Sequence, residues 1–306
     1  MMPVSELPAN PDHTKFDAAT RSAQPILVDA ARLVTEGRAY SLAKVRFPGM
    51  PLFPGHPPFQ VLTYRSPRGL RVAGDKPWGD VPNEVGLGYM SEVISGTAHT
   101  GAHIDALAHM TLGPEGRWYG GTTADEDLGD FGPRTGDATA LPILFTRGVL
   151  LDVARWRGVE CLDKGQPISG SDLEAVAAAQ ESLVRPHDVV LVRTGYMSLW
   201  PDAEQMAAHR GPGPDITAAR WLSDRGVVAT GSDTETYEVQ PAPDPGRPGN
   251  PQPVHTHLLI EQGIYLMESL DLEGIAADRV YEFLFVALPL RIRGATGSMI
   301  DPAAVI

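Results

Sequence analysis

Residues 97–110, TAHTGAHIDALAHM, constrain the fold most tightly. His99, His103, Asp105 and His109 fall within eleven residues of a chain that has nine histidines in all. Imidazole nitrogen and carboxylate oxygen are donors that zinc and manganese accept, and a catalytic site leaves one position open for water. An offset of four places two imidazoles on one side of a turn. An offset of two returns Asp105 to the side of His103 once the chain is extended. The segment therefore reads as a strand end passing into a Gly-containing loop, with His109 returning toward the metal as a base or further ligand. A solvated His-rich loop would not interleave Ile104, Ala106, Leu107 and Ala108 with these groups. A structural zinc site closes its sphere with four ligands and favours thiolates. The single cysteine, Cys161, lies far along the chain.

A second polar group sits at 254–272, VHTHLLIEQGIYLMESLDL. His255 and His257 precede an apolar turn, and Glu268 closes a short strand at 264–267. A carboxylate ending a buried strand bears a desolvation cost unless it meets a cation or hydrogen bonds; a metal and an ordinary ion pair both satisfy it.

Between and around these segments the pattern is mixed. A helix is expected at 25–37, a strand at 39–47, and an irregular proline-rich loop at 48–58 whose Phe53 reaches over the site. Strands at 61–64 and 86–94 follow, the second leading into the metal segment. The loop at 113–136 carries Trp118 and Tyr119 as candidate pocket residues. From 147 onward strands (148–153, 188–193, 227–230) alternate with helices (171–182, opened by Ser171 and Asp172 with Glu174, and 216–225). A proline- and glycine-rich loop fills 240–253, and an apolar strand bent at Pro289 closes the chain. Alternation of this kind makes a mixed α/β domain.

On these residues the chain resembles the cyclase family, whose members include bacterial kynurenine formamidase and isatin hydrolase. The family's HTGTHxDxPxH signature stands here as HTGAHIDALAH, with Ala102 for threonine and Leu107 for proline. Those exchanges alter loop rigidity and pocket shape but leave the donors intact. The resemblance implies that His99, His103 and Asp105 bind a divalent metal, zinc or manganese, one or two per chain. It also implies that His109 is the general base or a ligand of a second metal. The family's later pattern stands as His255 or His257, Gly263-Ile264, Glu268 and Leu270-Asp271-Leu272. It implies that Glu268 lies at the metal and that one of the two histidines, His255 before His257, lines the substrate pocket. The closing GATGS turn also matches longer members.

The fold so implied is the β/β/α swivelling-domain fold, as one domain over 25–306 behind an N-terminal arm at 1–24, assembled as a homodimer or homotetramer. The implied activity is metal-dependent hydrolysis of a non-peptide C–N bond in a cyclic amide or lactam, an isatin-like ring or an aryl formamide. A lactone or ester hydrolase with the same site, a polyketide-type cyclase or lyase, and a non-catalytic metal-containing binding protein are the alternatives.

A net charge of −13 argues against nucleic acid as a partner and leaves a small-molecule substrate. One cysteine excludes an internal disulfide and agrees with the cytoplasm. No apolar run reaches the ~20 residues of a membrane span.

Overall fold

The computed structural model describes residues 24–306. The expected arm at 1–24, with His13, lies outside the described residues apart from Gln24. The strands that position the site are, in chain order, β1 (Ala39–Ser41), β2 (Gln60–Arg65), β3 (Ser91–Ser95), β4 (His103–Asp105), β5 (Leu144–Asp152), β6 (Val189–Arg193), β7 (Ala229–Ser232), β8 (Tyr265–Glu268), β9 (Glu282–Ala287), β10 (Gly297–Met299) and β11 (Ala303–Val305). The main helices are α1 (Gln24–Ala31), α2 (Gly170–Ala179) and α3 (Ile216–Asp224).

Continuous apolar runs with no alternation become the centre of one mixed sheet. Its order is β1-β11-β9-β5-β6-β7-β8-β4-β10. β5, β6, β7 and β8 run parallel, and the flanking strands pair antiparallel. Every residue of β6 is buried. Strands covered on both faces need no polar alternation, and each buried valine or leucine contributes about 1.5–3 kcal/mol. α2 and α3 make the crossovers, burying Leu173 and Val176 on one and Ala218 and Leu222 on the other. The expected single mixed α/β domain is what the chain forms. Among the described residues no helix is long and apolar enough to cross a membrane.

Several expected bounds shift for local reasons. The helix at 25–37 ends at Ala31. The strand at 39–47 stops at Ser41, and the chain beyond it leaves the sheet so that Arg46 can hold the metal loop. The cap of α2 is Ser169, not Ser171: its hydroxyl accepts from the Asp172 amide, and Asp172 accepts from the Ser169 amide. Glu174 points away to Trp221 and Arg225. β2 and β3 form a separate antiparallel pair, and the strand expected at 86–94 is confined to 91–95.

Candidate metal centre

The metal segment is built in the opposite order from the one its spacing suggests. The Gly-containing loop comes first and the strand second. Gly101 turns the loop with φ +62°, a conformation that favours glycine. Arg46 clamps it, donating Nε to the Thr100 carbonyl (2.9 Å) and Nη2 to the Ala102 and Ile300 carbonyls (2.5 and 2.8 Å). β4 then carries His103 and Asp105 on one face, as the offset of two requires.

Strand register completes the site. β8 pairs with β4 so that Glu268 lies opposite His103, with Glu268 Oε2 3.4 Å from His103 Nε2. β10 pairs on the other side so that Gly297 lies opposite Asp105. With no side chain there, the His99 ring rests over β10; a Cβ on Gly297 would stand 2.5 Å from His99 Cε1. His99 Nδ1 is 2.9 Å from Asp105 Oδ1, and its ring stacks on His109 at 4.1 Å between centroids. The Thr296 hydroxyl lies 3.4 Å from both His99 Nε2 and His109 Nδ1. His255 enters from the helical segment after the proline-rich loop, with Nε2 3.2 Å from Glu268 Oε1 and 4.0 Å from Asp105 Oδ2.

Two donor sets result, and they share Asp105. His99, His103 and Asp105 form one; Asp105, His255 and Glu268 form the other; within each, the ligand atoms lie within 4.8 Å of one another. The donors fit a divalent cation on their own chemistry. His103 Nδ1 donates to the Gly101 carbonyl (2.8 Å), which assigns its tautomer and turns the Nε2 lone pair toward the carboxylates. His255 Nδ1 donates to Glu238, with the same effect on its Nε2. Asp105 is 1 % exposed, and its Oδ2 has no hydrogen-bond partner among the described residues. Lone pairs turned toward buried carboxylates repel unless a cation stands between them, and a buried unpaired carboxylate costs several kcal/mol, roughly.

The titration of these groups says the same. Burial alone would lower the His255 pKa, but Glu238 and Glu268 overcome it and hold it up to about 10. Burial also opposes protonation of His103, yet Glu268 and then Asp105 raise it. Asp105, against the pull of its burial, is drawn far below the usual carboxylate range by His109, His99 and His103. Without a metal, protons supply the positive charge that the carboxylates demand. His109 behaves differently. Burial pushes it down to about 4 against the pull of Asp105, with His99 and His255 adding to the fall.

The structure brings His99, His103, Asp105, His109, His255 and Glu268 together. His255, expected in the substrate pocket, is instead 2 % exposed and joins the ligand cluster. His257 is not brought in. Two residues apart on a helical turn, the two side chains project to opposite sides, and His257 meets Ser223 (2.9 Å) and Glu261 (3.0 Å) on a different cleft. Phe53 does reach the site. With His56, Leu52 and Trp200 it lines a narrow cleft, about 20 Å³ in volume, beside His99 and His103. Trp118 and Tyr119 do not line that cleft: Trp118 is buried at 3 % exposure, and Tyr119 packs on Gly263.

Glu238, Thr296, Gly297 and Arg46 went unidentified in the sequence. Thr296 and Gly297 lie inside the GATGS turn, so that turn was the available signal. Glu238 and Arg46 act through backbone groups and a neighbouring histidine, and no local pattern marks them.

Comparison with known proteins bears on this geometry. Residues 40–239 match the family model described as "Putative cyclase"; the match spans more than half the chain and includes the first donor set, ending before His255 and Glu268. A crystal structure described as a novel cyclase is similar over 95 % of this chain and 96 % of its own, with TM-score 0.83 and 27 % identity. Isatin hydrolase A from Labrenzia aggregata is similar over 93 % and 98 %, with TM-score 0.63 and 18 % identity. A potential metal-dependent hydrolase with cyclase activity is similar over 87 % and 96 %, with TM-score 0.53 and 19 % identity. Among curated proteins, none matches the chain.

Proposed function

The chain belongs to the cyclase family, and from that premise we propose that it is a metal-dependent hydrolase of a non-peptide C–N bond. Its substrate is a cyclic amide or lactam, an isatin-like ring or an aryl formamide. The observation that carries the reading is the pair of donor sets sharing the buried Asp105, whose Oδ2 has no hydrogen-bond partner among the described residues. Nitrogen and oxygen donors without thiolate suit zinc or manganese, and the sharing of Asp105 supports two ions per chain.

A divalent ion so held lowers the pKa of water and polarises a carbonyl oxygen. The protein's own groups supply the rest. His103 is locked by Gly101 and His255 by Glu238, so each presents one nitrogen in a fixed direction. Phe53, Leu52 and Trp200 give the cleft beside His99 and His103 an apolar side against which the body of a substrate packs. His109, neutral at physiological pH because burial depresses its pKa, takes the proton from water as it adds to the carbonyl carbon. It returns that proton to the leaving nitrogen as the C–N bond breaks. The Thr296 hydroxyl beside both His99 and His109 orients the two rings.

Assembly as a homodimer or homotetramer is part of the proposal. The β2–β3 pair exposes Val61 and Ile94 on one face and Leu62 and Val93 on the other. A two-stranded sheet with two apolar faces in water is marginal by itself and marks an interaction surface. Sedimentation at a monomer's mass would contradict this.

The functional reading is tested by metal content per chain and by turnover of N-formylkynurenine, isatin and a simple γ-lactam before and after chelation. Hydrolysis of one of the three that disappears on chelation and returns with metal is the expected result. Full activity in a metal-stripped His103→Ala variant would refute it.

A further inference from the structure

Glu235 stands on the wall of the same cleft as His99 and His103, yet belongs to neither donor set. Its side chain is 7 % exposed. Oε2 accepts from Arg210 Nε at 2.7 Å. Oε1 is buried with no hydrogen-bond partner among the described residues. The buried Tyr196 hydroxyl lies beside this pair and interacts with both Arg210 and Glu235. Apart from the histidines and Ser269, the cleft that Glu235 shares is lined by apolar side chains, among them Leu52, Phe53, Met197, Trp200 and Met206. A buried carboxylate oxygen left unused on an apolar wall is unfavourable unless a ligand uses it.

Arg210 decides what kind of ligand. It offsets the charge of Glu235, so the wall offers hydrogen-bond acceptance with little net negative field. That favours a neutral N–H or O–H donor over an ammonium group. The flat apolar surroundings favour a ring as the body that carries the donor.

We propose that Glu235 sets the specificity of the cleft: its Oε1 accepts a hydrogen bond from a neutral hydroxyl or amino group on the ring of a small cyclic or aromatic substrate, away from the bond that is cut. The inference rests on the hydrolase reading for the words "substrate" and "cut", but not for the recognition itself. A site built to accept from such a donor discriminates against analogues that lack one, because the acceptor is then buried unpaired.

The test uses the full, metal-loaded chain and four probes: the meta- and para-hydroxyformanilides and their methoxy counterparts. Binding is followed by calorimetry and by intrinsic tryptophan fluorescence, and cleavage is followed in parallel. Wild-type protein is expected to favour one hydroxyl compound over its methoxy partner by about tenfold to a hundredfold. Glu235→Ala brings that ratio near one. In Glu235→Gln, Arg210 holds the amide oxygen and the NH2 group faces the cleft, so the preference inverts toward the methoxy acceptor. A merely structural role for Glu235 would produce no inversion. Equal binding of each pair by wild-type protein, binding of neither, or a ratio unchanged in both variants overturns the proposal. If both variants unfold, the wild-type ratio alone decides. A preference without cleavage keeps this inference and removes aryl formamides from the proposed substrates; cleavage without preference keeps the hydrolase reading and overturns this inference.

Discussion

Replacing Gly297 by alanine tests whether the seat of His99 on β10 holds the first donor set. The added methyl would stand 2.5 Å from His99 Cε1, 2.9 Å from Nε2 and 3.0 Å from Nδ1. Ordinary contact begins at 3.4 Å, so the ring must retreat by about 0.9 Å. The backbone beneath cannot yield, because β10 is paired to β4 at Asp105 itself. A displacement of that size exceeds the ~0.5 Å tolerance of a preorganised site. It also breaks the 2.9 Å approach of His99 Nδ1 to Asp105 Oδ1. Affinity for the first ion should fall about 10- to 100-fold, and kcat/KM about 100-fold. Overpacking costs about 1–3 kcal/mol of stability, so the variant should still fold. The control is Gly148→Ala, whose Cβ would meet the Phe283 ring at 2.2 Å between β5 and β9. It should lower Tm while leaving metal per folded chain unchanged. Metal is read by elemental analysis after dialysis against graded chelator, and folding by circular dichroism. Gly297→Ala with wild-type metal retention and turnover would refute the argument.

Two further outcomes follow from the second donor set. Glu238→Ala removes the acceptor of His255 Nδ1 and of the Val254 and His255 amides. It should weaken the second of two metal-binding steps about 10- to 100-fold while sparing the first, and an unchanged two-step titration would contradict the assignment. In the metal-free chain the His255 pKa is raised from 6.5 to about 10. That contribution to stability is complete below pH 6.5 and is lost as pH rises toward 10. The Tm of metal-free protein should fall across that window. Metal uptake at neutral pH should release protons, seen as a dependence of the calorimetric heat on buffer ionisation enthalpy; a flat Tm and no released proton would rule it out.

Much of this centre was legible in the chain. His99, His103, Asp105 and His109 are close in sequence, so the loop and strand geometry that gathers them is local, and the period of two predicts that His103 and Asp105 share one side of β4. The valine- and leucine-rich runs of β5 and β6, and the alternation with α2 and α3, declare a mixed α/β domain with buried strands for the same local reason. Only the tertiary structure decided how the rest joins. Glu268 reaches His103 through the β8–β4 register, and His99 finds room because that register and its neighbour set Gly297 opposite Asp105. The helical turn at 255–257 chose His255 over His257, and Glu238 then fixed its ring. Glu235 came to the cleft wall from the segment after β7. These contacts join residues more than a hundred positions apart in several cases. A pattern of neighbouring residues records the preferences of a short segment, whereas pairing between distant strands is decided by the burial of the whole sheet.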